Sequence, residues 1–201
     1  MPAVTLTYFD IPTSRGEECR LALTLAGVEF TDERLDRPRW EARKAGTPFG
    51  ALPVLTVAGQ RPVAQSNAIL RLIGGLYGLL PKDPYESARH EAVMGAVEDL
   101  RGRMGPINRL KDPEEKKKAR QELAAGYLPE WAGHLEQQVN GPFLGGDALS
   151  VADLKVFVAL SPILKGSIDH VPPETLKPFP KVLRLVEAVK AHPRVAAWYA
   201  R

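Results

Sequence analysis

The chain of 201 residues has one cysteine, Cys19, so it cannot close a disulfide on itself or supply the cysteine pairs of a zinc site. Its four histidines, His90, His134, His170 and His192, are too scattered for a local metal motif, and no metal is expected. This cysteine usage fits a reducing, cytoplasmic setting. Uninterrupted apolar runs are also missing. The most apolar stretch, AILRLIGGLYGLLP, is broken by Arg71, Gly74 and Gly75, and no basic-then-apolar leader opens the chain, so neither export nor a membrane partner is expected. Charge of one sign is scarce: 27 basic and 24 acidic side chains leave a formal +3, too even a balance for a nucleic-acid binder. The block KKKAR follows Glu114 and Glu115 at helical spacing and reads as a solvated, ion-paired face. What remains is 44% hydrophobic, enough for a substantial core.

Strand-like alternation appears only early. Val4–Tyr8 alternates apolar residues with threonine, and EECRLALTLAG then carries Cys19, Leu21, Leu23 and Leu25 in a helix that Gly27 can stop. Val28–Leu35 reads as a second strand, and RPRWEARKAG as an irregular or briefly helical crossover. Two short β runs flank a turn at Ala58-Gly59-Gln60, with Pro53 at the head of the first. Ser66 has the hydroxyl of an N-cap for a helix whose apolar face is Ile69, Leu70, Ile73, Leu76 and Tyr77. The first eighty residues thus read βαβ-ββα. Strand patterning ceases after Pro81-Lys82-Asp83-Pro84, which marks residues 81–84 as a linker between a domain at 1–80 and an all-α helical domain at 85–201. In that second part, Tyr85–Leu110 and Pro113–Val139 read as long helices. Ser150 and Asp153 form a capping box, with Leu149 and Leu154 as its staple, opening the helix expected to be the central column. Helices near Lys181–Lys190 and Pro193–Tyr199 follow.

The motifs TYFD, SRGEECR, Trp40 with Lys44, ALPVL, AQSNAI, VEDLRG and FLGGDALSVAD occur in that order, and HPRVAAWYA closes the chain. Together they resemble the tyrosine-type cytosolic glutathione S-transferases, closest to the sigma and pi classes. The resemblance implies a thioredoxin-like α/β domain carrying glutathione as co-substrate, a helical domain carrying a hydrophobic electrophile, and a homodimer.

Such an enzyme must ionise a thiol whose pKa is near about 8.5. A tyrosine hydroxyl donating to the sulfur can favour the thiolate, and a depression of about two units corresponds to roughly 2.7 kcal/mol. The resemblance assigns that role to Tyr8; from position alone, a strand-end tyrosine is a packing residue. Arg15, beside a helix N-terminus, would add positive potential. The stretch DIPTSRG departs from the family's pattern: it is one residue longer, carries Pro12, and has Arg-Gly in place of Gly-Arg.

For the tripeptide, the resemblance implies a cis Leu52–Pro53 bond presenting the Leu52 backbone, with Gln65 and Ser66 at the γ-glutamyl end. Trp40 and Lys44 would meet the glycyl carboxylate, and Asp99 would reach the γ-glutamyl amine across the dimer. The residues alone also allow Ser66 as a simple cap, Trp40 as a packing anchor, Lys44 as a surface lysine, and Asp99 paired with Arg101 or Arg103. The electrophile pocket is expected between Tyr8 and the first long helix, from Phe9, Ile11, Pro12, Gly102, Met104 and Gly105. Cys19 is expected to be an inert core thiol. The alternatives are a noncatalytic glutathione or hydrophobic-ligand binder and a glutathione-dependent isomerase.

Overall fold

The computed structural model describes residues 2–201. Four strands form one sheet in the order β2-β1-β3-β4: β1 Val4–Phe9, β2 Thr31–Leu35, β3 Val54–Val57 and β4 Val63–Ala64. β1 runs parallel to β2 and antiparallel to β3, which returns as β4. Helix α1 (Ser14–Ala26) links the parallel pair, the short α2 (Arg37–Arg43) follows β2, and α3 (Ser66–Tyr77) follows β4. This is the expected βαβ-ββα order. Leu6 of β1 and Leu55 of β3 join Cys19, Leu23, Ile69 and Ile73 in the core against α1 and α3. β2 starts at Thr31, three residues later than the sequence suggests, because Val28 spends its amide on the carbonyl of Leu23. With Gly27 at φ 70 donating to Thr24, that bond ends α1 in a Schellman-type cap.

All later elements are helices: α4 Pro84–Arg109, α5 Pro113–Ala125, α6 Tyr127–Gln138, α7 Val151–Leu164, α8 Pro180–Ala191 and α9 Pro193–Tyr199. The expected single run from 113 to 139 is two helices, broken at Gly126. Pro129 explains the break, since it has no amide to offer the carbonyl of Ala125 and its ring would collide with that oxygen in a continuous helix. Of the face expected on α3, Ile69, Leu70 and Ile73 are buried, whereas Leu76 and Tyr77 are exposed. In α5, Lys117 and Lys118 pair with Glu114 and Glu122, as a solvated face should.

Helix α7 is buried on nearly every side, its apolar residues lying all round its axis with Asp153 and Lys155 buried among them. Its start is the capping box. Ser150 Oγ accepts from the Asp153 amide and donates to Asp153 Oδ2 at 2.6 Å, while Asp153 accepts the Ser150 amide at 2.8 Å. The other carboxylate oxygen accepts the Leu144 amide at 2.8 Å, pinning the preceding loop to the helix. Because the serine proton is committed to Asp153, His90 Nδ1 is the donor in its 3.0 Å bond to Ser150 Oγ. Burial holds the His90 pKa down and so favours the neutral ring, with its proton on Nδ1.

Loss of Asp153 thus removes a cap and also strands the buried amide of Leu144. Asp153→Ala is expected to lower stability by about 2–4 kcal/mol, read as the shift of a urea unfolding curve, against about 1 kcal/mol for a simple cap loss.

Candidate active site

Tyr8 lies near the end of β1 with its ring turned toward α1. An ideal Cβ on Gly16 would come within 2.0 Å of Tyr8 Cδ1, so the ring rests where any side chain at 16 would stand. The Arg-Gly order of this turn therefore follows from packing: the residue after Arg15 has to be glycine. The turn itself is tied down by Arg20, which has no solvent exposure. Its guanidinium donates to the carbonyls of Ile11 at 2.8 Å and Phe9 at 3.1 Å, and binds Asp32 and Glu17. It also sits 5.8 Å from the centre of the Tyr8 ring. Among the described residues, no side-chain hydrogen bond engages the Tyr8 hydroxyl, so that donor is available to a ligand.

The neighbouring β1 residue, Phe9, packs edge-on to the Tyr8 ring at 5.6 Å between ring centres. It packs edge-on to Trp40 of α2 at 6.0 Å between ring centres. Trp40 is buried, and Lys44, one turn later, is exposed with no ion pair among the described residues. The Leu52–Pro53 bond is cis. Gln65 precedes α3 at φ 71 and makes no side-chain cap. Ser66 is buried to 3% exposure, and the side-chain oxygen of Asn67 is buried with no partner.

Ser66 meets a charged cluster that sequence reading missed. Lys155 of α7, with no solvent exposure, reaches Glu18 Oε1 of α1 and Glu98 Oε1 of α4, each at 2.6 Å, and Ser66 Oγ at 3.2 Å. Arg101 bridges the same two carboxylates at 2.8 Å each. Arg15 places Nε and Nη2 on Glu98 Oε2 at 2.9 and 2.5 Å. Although burial alone would raise the Glu98 pKa, Lys155, Arg15 and Arg101 hold it down to about 2. Asp99, next to Glu98, is exposed, and Arg101 is engaged by Glu18 and Glu98 and not by Asp99. The only signals available in the sequence were a lysine inside an apolar helical run and two acids, Glu17 and Glu18, side by side in another.

A cavity of about 270 Å³ opens between the start of α1, α4 and α7. Thr13, Arg15, Met104, Gly105 and Val158 are among its walls. Met104 and Gly105 are therefore brought together with Arg15. Four other residues expected in the electrophile pocket do not line this cavity. Phe9 packs between the rings of Tyr8 and Trp40, Ile11 and Pro12 lie at the surface just before Thr13, and Gly102 has open space where its Cβ would be. Cys19 is fully buried, and burial raises its pKa well above the ordinary value, which keeps it an unreactive thiol.

Residues 4–74 match the N-terminal domain of glutathione S-transferase, and residues 98–201 match its C-terminal domain. Glutathione S-transferase 1 of Ascaris suum is 32% identical over 206 residues, covering 100% of this chain and 97% of the relative. The chain belongs to the glutathione S-transferase family. Hematopoietic prostaglandin D synthase of Gallus gallus is 30% identical over 204 residues, which is 98% of this chain and 96% of its own. The solved structure of prostaglandin synthase D of Nilaparvata lugens superposes with a TM-score of 0.87 at 27% identity, covering 100% of this chain and 98% of that one. This glutathione S-transferase is thus an enzyme whose family uses glutathione as co-substrate together with hydrophobic second substrates. No helix among its described residues is long and apolar enough to cross a membrane.

The ion cluster is expected to make the protein acid-sensitive in a defined window. Glu98 titrates lower folded than unfolded, so its stabilisation is complete above about pH 4.5 and lost as pH falls toward about 2. Unfolding free energy measured by urea at steps between those limits should rise with pH. The Glu98→Gln variant should be less stable and show a shallower slope across the same range.

Proposed function

We propose that Tyr8 donates its hydroxyl hydrogen bond to the sulfur of bound glutathione and holds it as the thiolate, which attacks a hydrophobic electrophile. The observation that carries this reading is the unengaged Tyr8 hydroxyl on a ring held by Gly16 and Arg20. Residues 1–80 serve as the glutathione-binding domain, joined through 81–84 to residues 85–201, which supply most of the electrophile pocket. Ser66 and Gln65 take the γ-glutamyl end, the Leu52 backbone pairs with the cysteinyl residue, and Trp40 and Lys44 serve the glycyl carboxylate. Arg15, fixed by Glu98 at the cavity wall, adds positive potential toward the anion and the electrophile. The chemistry proposed for these groups uses no metal, and the lone buried thiol suits a cytoplasmic protein.

The working unit is a homodimer in which Asp99 serves the partner's glutathione. Its support is the exposed Asp99 and the exposure of Phe49 at 82%, Leu76 at 67% and Tyr85 at 84%, apolar surface that a second copy would cover. Sedimentation equilibrium at micromolar concentration should return twice the 22.0 kDa chain mass; a monomer there overturns this assignment.

A glutathione-dependent isomerase is the second reading, favoured by the similarity to the Gallus gallus prostaglandin D synthase. Both reactions use the same activated sulfur, and product analysis separates them. The test of the shared step is thiolate absorbance while glutathione is titrated with protein. The wild type should lower the thiol pKa by about two units, and Tyr8→Phe should abolish the shift and cut activity at neutral pH by up to about a hundredfold. No shift in the wild type would sink the catalytic reading and favour a noncatalytic binder.

A further inference from the structure

We infer that Lys155 is a positioning residue for glutathione: it holds the Ser66 hydroxyl so that its proton points out of the protein toward the γ-glutamyl α-carboxylate. The inference rests on the proposal that this carboxylate lies at Ser66. An ammonium has three protons to donate and no acceptor. Lys155 spends them on Glu18, Glu98 and Ser66. Ser66 Oγ is therefore an acceptor in this contact and keeps its own proton, which none of the described residues takes. Without the ammonium, the same hydroxyl would be free to turn inward toward the carboxylates that Lys155 now holds.

Charge points the same way. The cluster sets three cations, Arg15, Arg101 and Lys155, against two carboxylates, Glu18 and Glu98. The nearby Arg20 is engaged separately by Glu17 and Asp32. The excess positive charge lies beside the start of α3, whose first amides have no side-chain cap. A carboxylate bound there balances the cluster and accepts from Ser66 and those amides together. Net stability alone gives no reason for the choice, since an apolar side chain of similar length at 155 with a neutral partner at 18 would avoid burying an ion pair.

The experiment compares reduced glutathione with γ-aminobutyryl-Cys-Gly, the same tripeptide lacking only that carboxylate, by titration calorimetry. Lys155→Met leaves Glu18 buried with one cation fewer, so the paired variant Glu18→Gln/Lys155→Met is measured beside it, and thermal unfolding reports the fold of both. In the paired variant the glutathione dissociation constant should rise about tenfold while that of the analogue stays within about twofold of wild type. A Ser66→Ala background should erase the difference. Equal losses for both ligands mean a merely structural lysine, and no loss for either means an idle one; each overturns the inference. If the wild type itself fails to prefer glutathione over the analogue, the assignment of the carboxylate to Ser66 is what fails.

Discussion

An ammonium with no access to water must be neutralised where it lies, and that requirement at Lys155 organises the junction between the sheet domain and the helices. Taking such a charge out of water costs several kcal/mol unless opposite charges and hydrogen bonds meet it. Glu18 supplies one partner from α1 and Glu98 another from α4, and Arg101 then balances both carboxylates. α7 is thereby locked in register with α1 and α4, and with Ser66 at the start of α3. Apolar contacts among these helices hold the core but are tolerant of small shifts. The charged contacts, at 2.6 to 2.8 Å, are directional and set the placement of Arg15 at the cavity wall.

The second fixed point is the turn after β1. Tyr8 turns toward α1, and Phe9 packs edge-on between its ring and that of Trp40, so the two adjacent aromatic residues brace one another at the end of the strand. Arg20 closes the turn by taking the carbonyls on either side of Asp10, and Gly16 leaves the room that the Tyr8 ring fills. A rigid ring with an unengaged hydroxyl suits the donor role proposed for Tyr8, because no bond within the protein has to break when a ligand arrives.

Much of this was legible before folding. The alternation in Val4–Tyr8, the glycine stop at Gly27, the β3 and β4 runs and the Ser150 and Asp153 box all rest on neighbours within a few residues, and they stand as expected. Two misses in the element boundaries have a common cause. Val28 left the expected strand because its amide closes a helix, and the long helix after Pro113 broke on a proline ring three residues beyond a glycine. Both are local rules that compete with apolar periodicity and win where an amide is spent or absent.

The sequence by itself determined the order of elements, the family, and the residue types available to the tripeptide, since these depend on local periodicity and on motifs in a fixed order. Only the tertiary structure decided that Phe9 packs against Trp40, that Arg15 is held by Glu98, and that Lys155 lies against Ser66. Glu18, Glu98 and Lys155 are separated by 57 to 137 positions along the chain where they meet. No pattern of short spacing encodes such a meeting, because it depends on how whole helices pack.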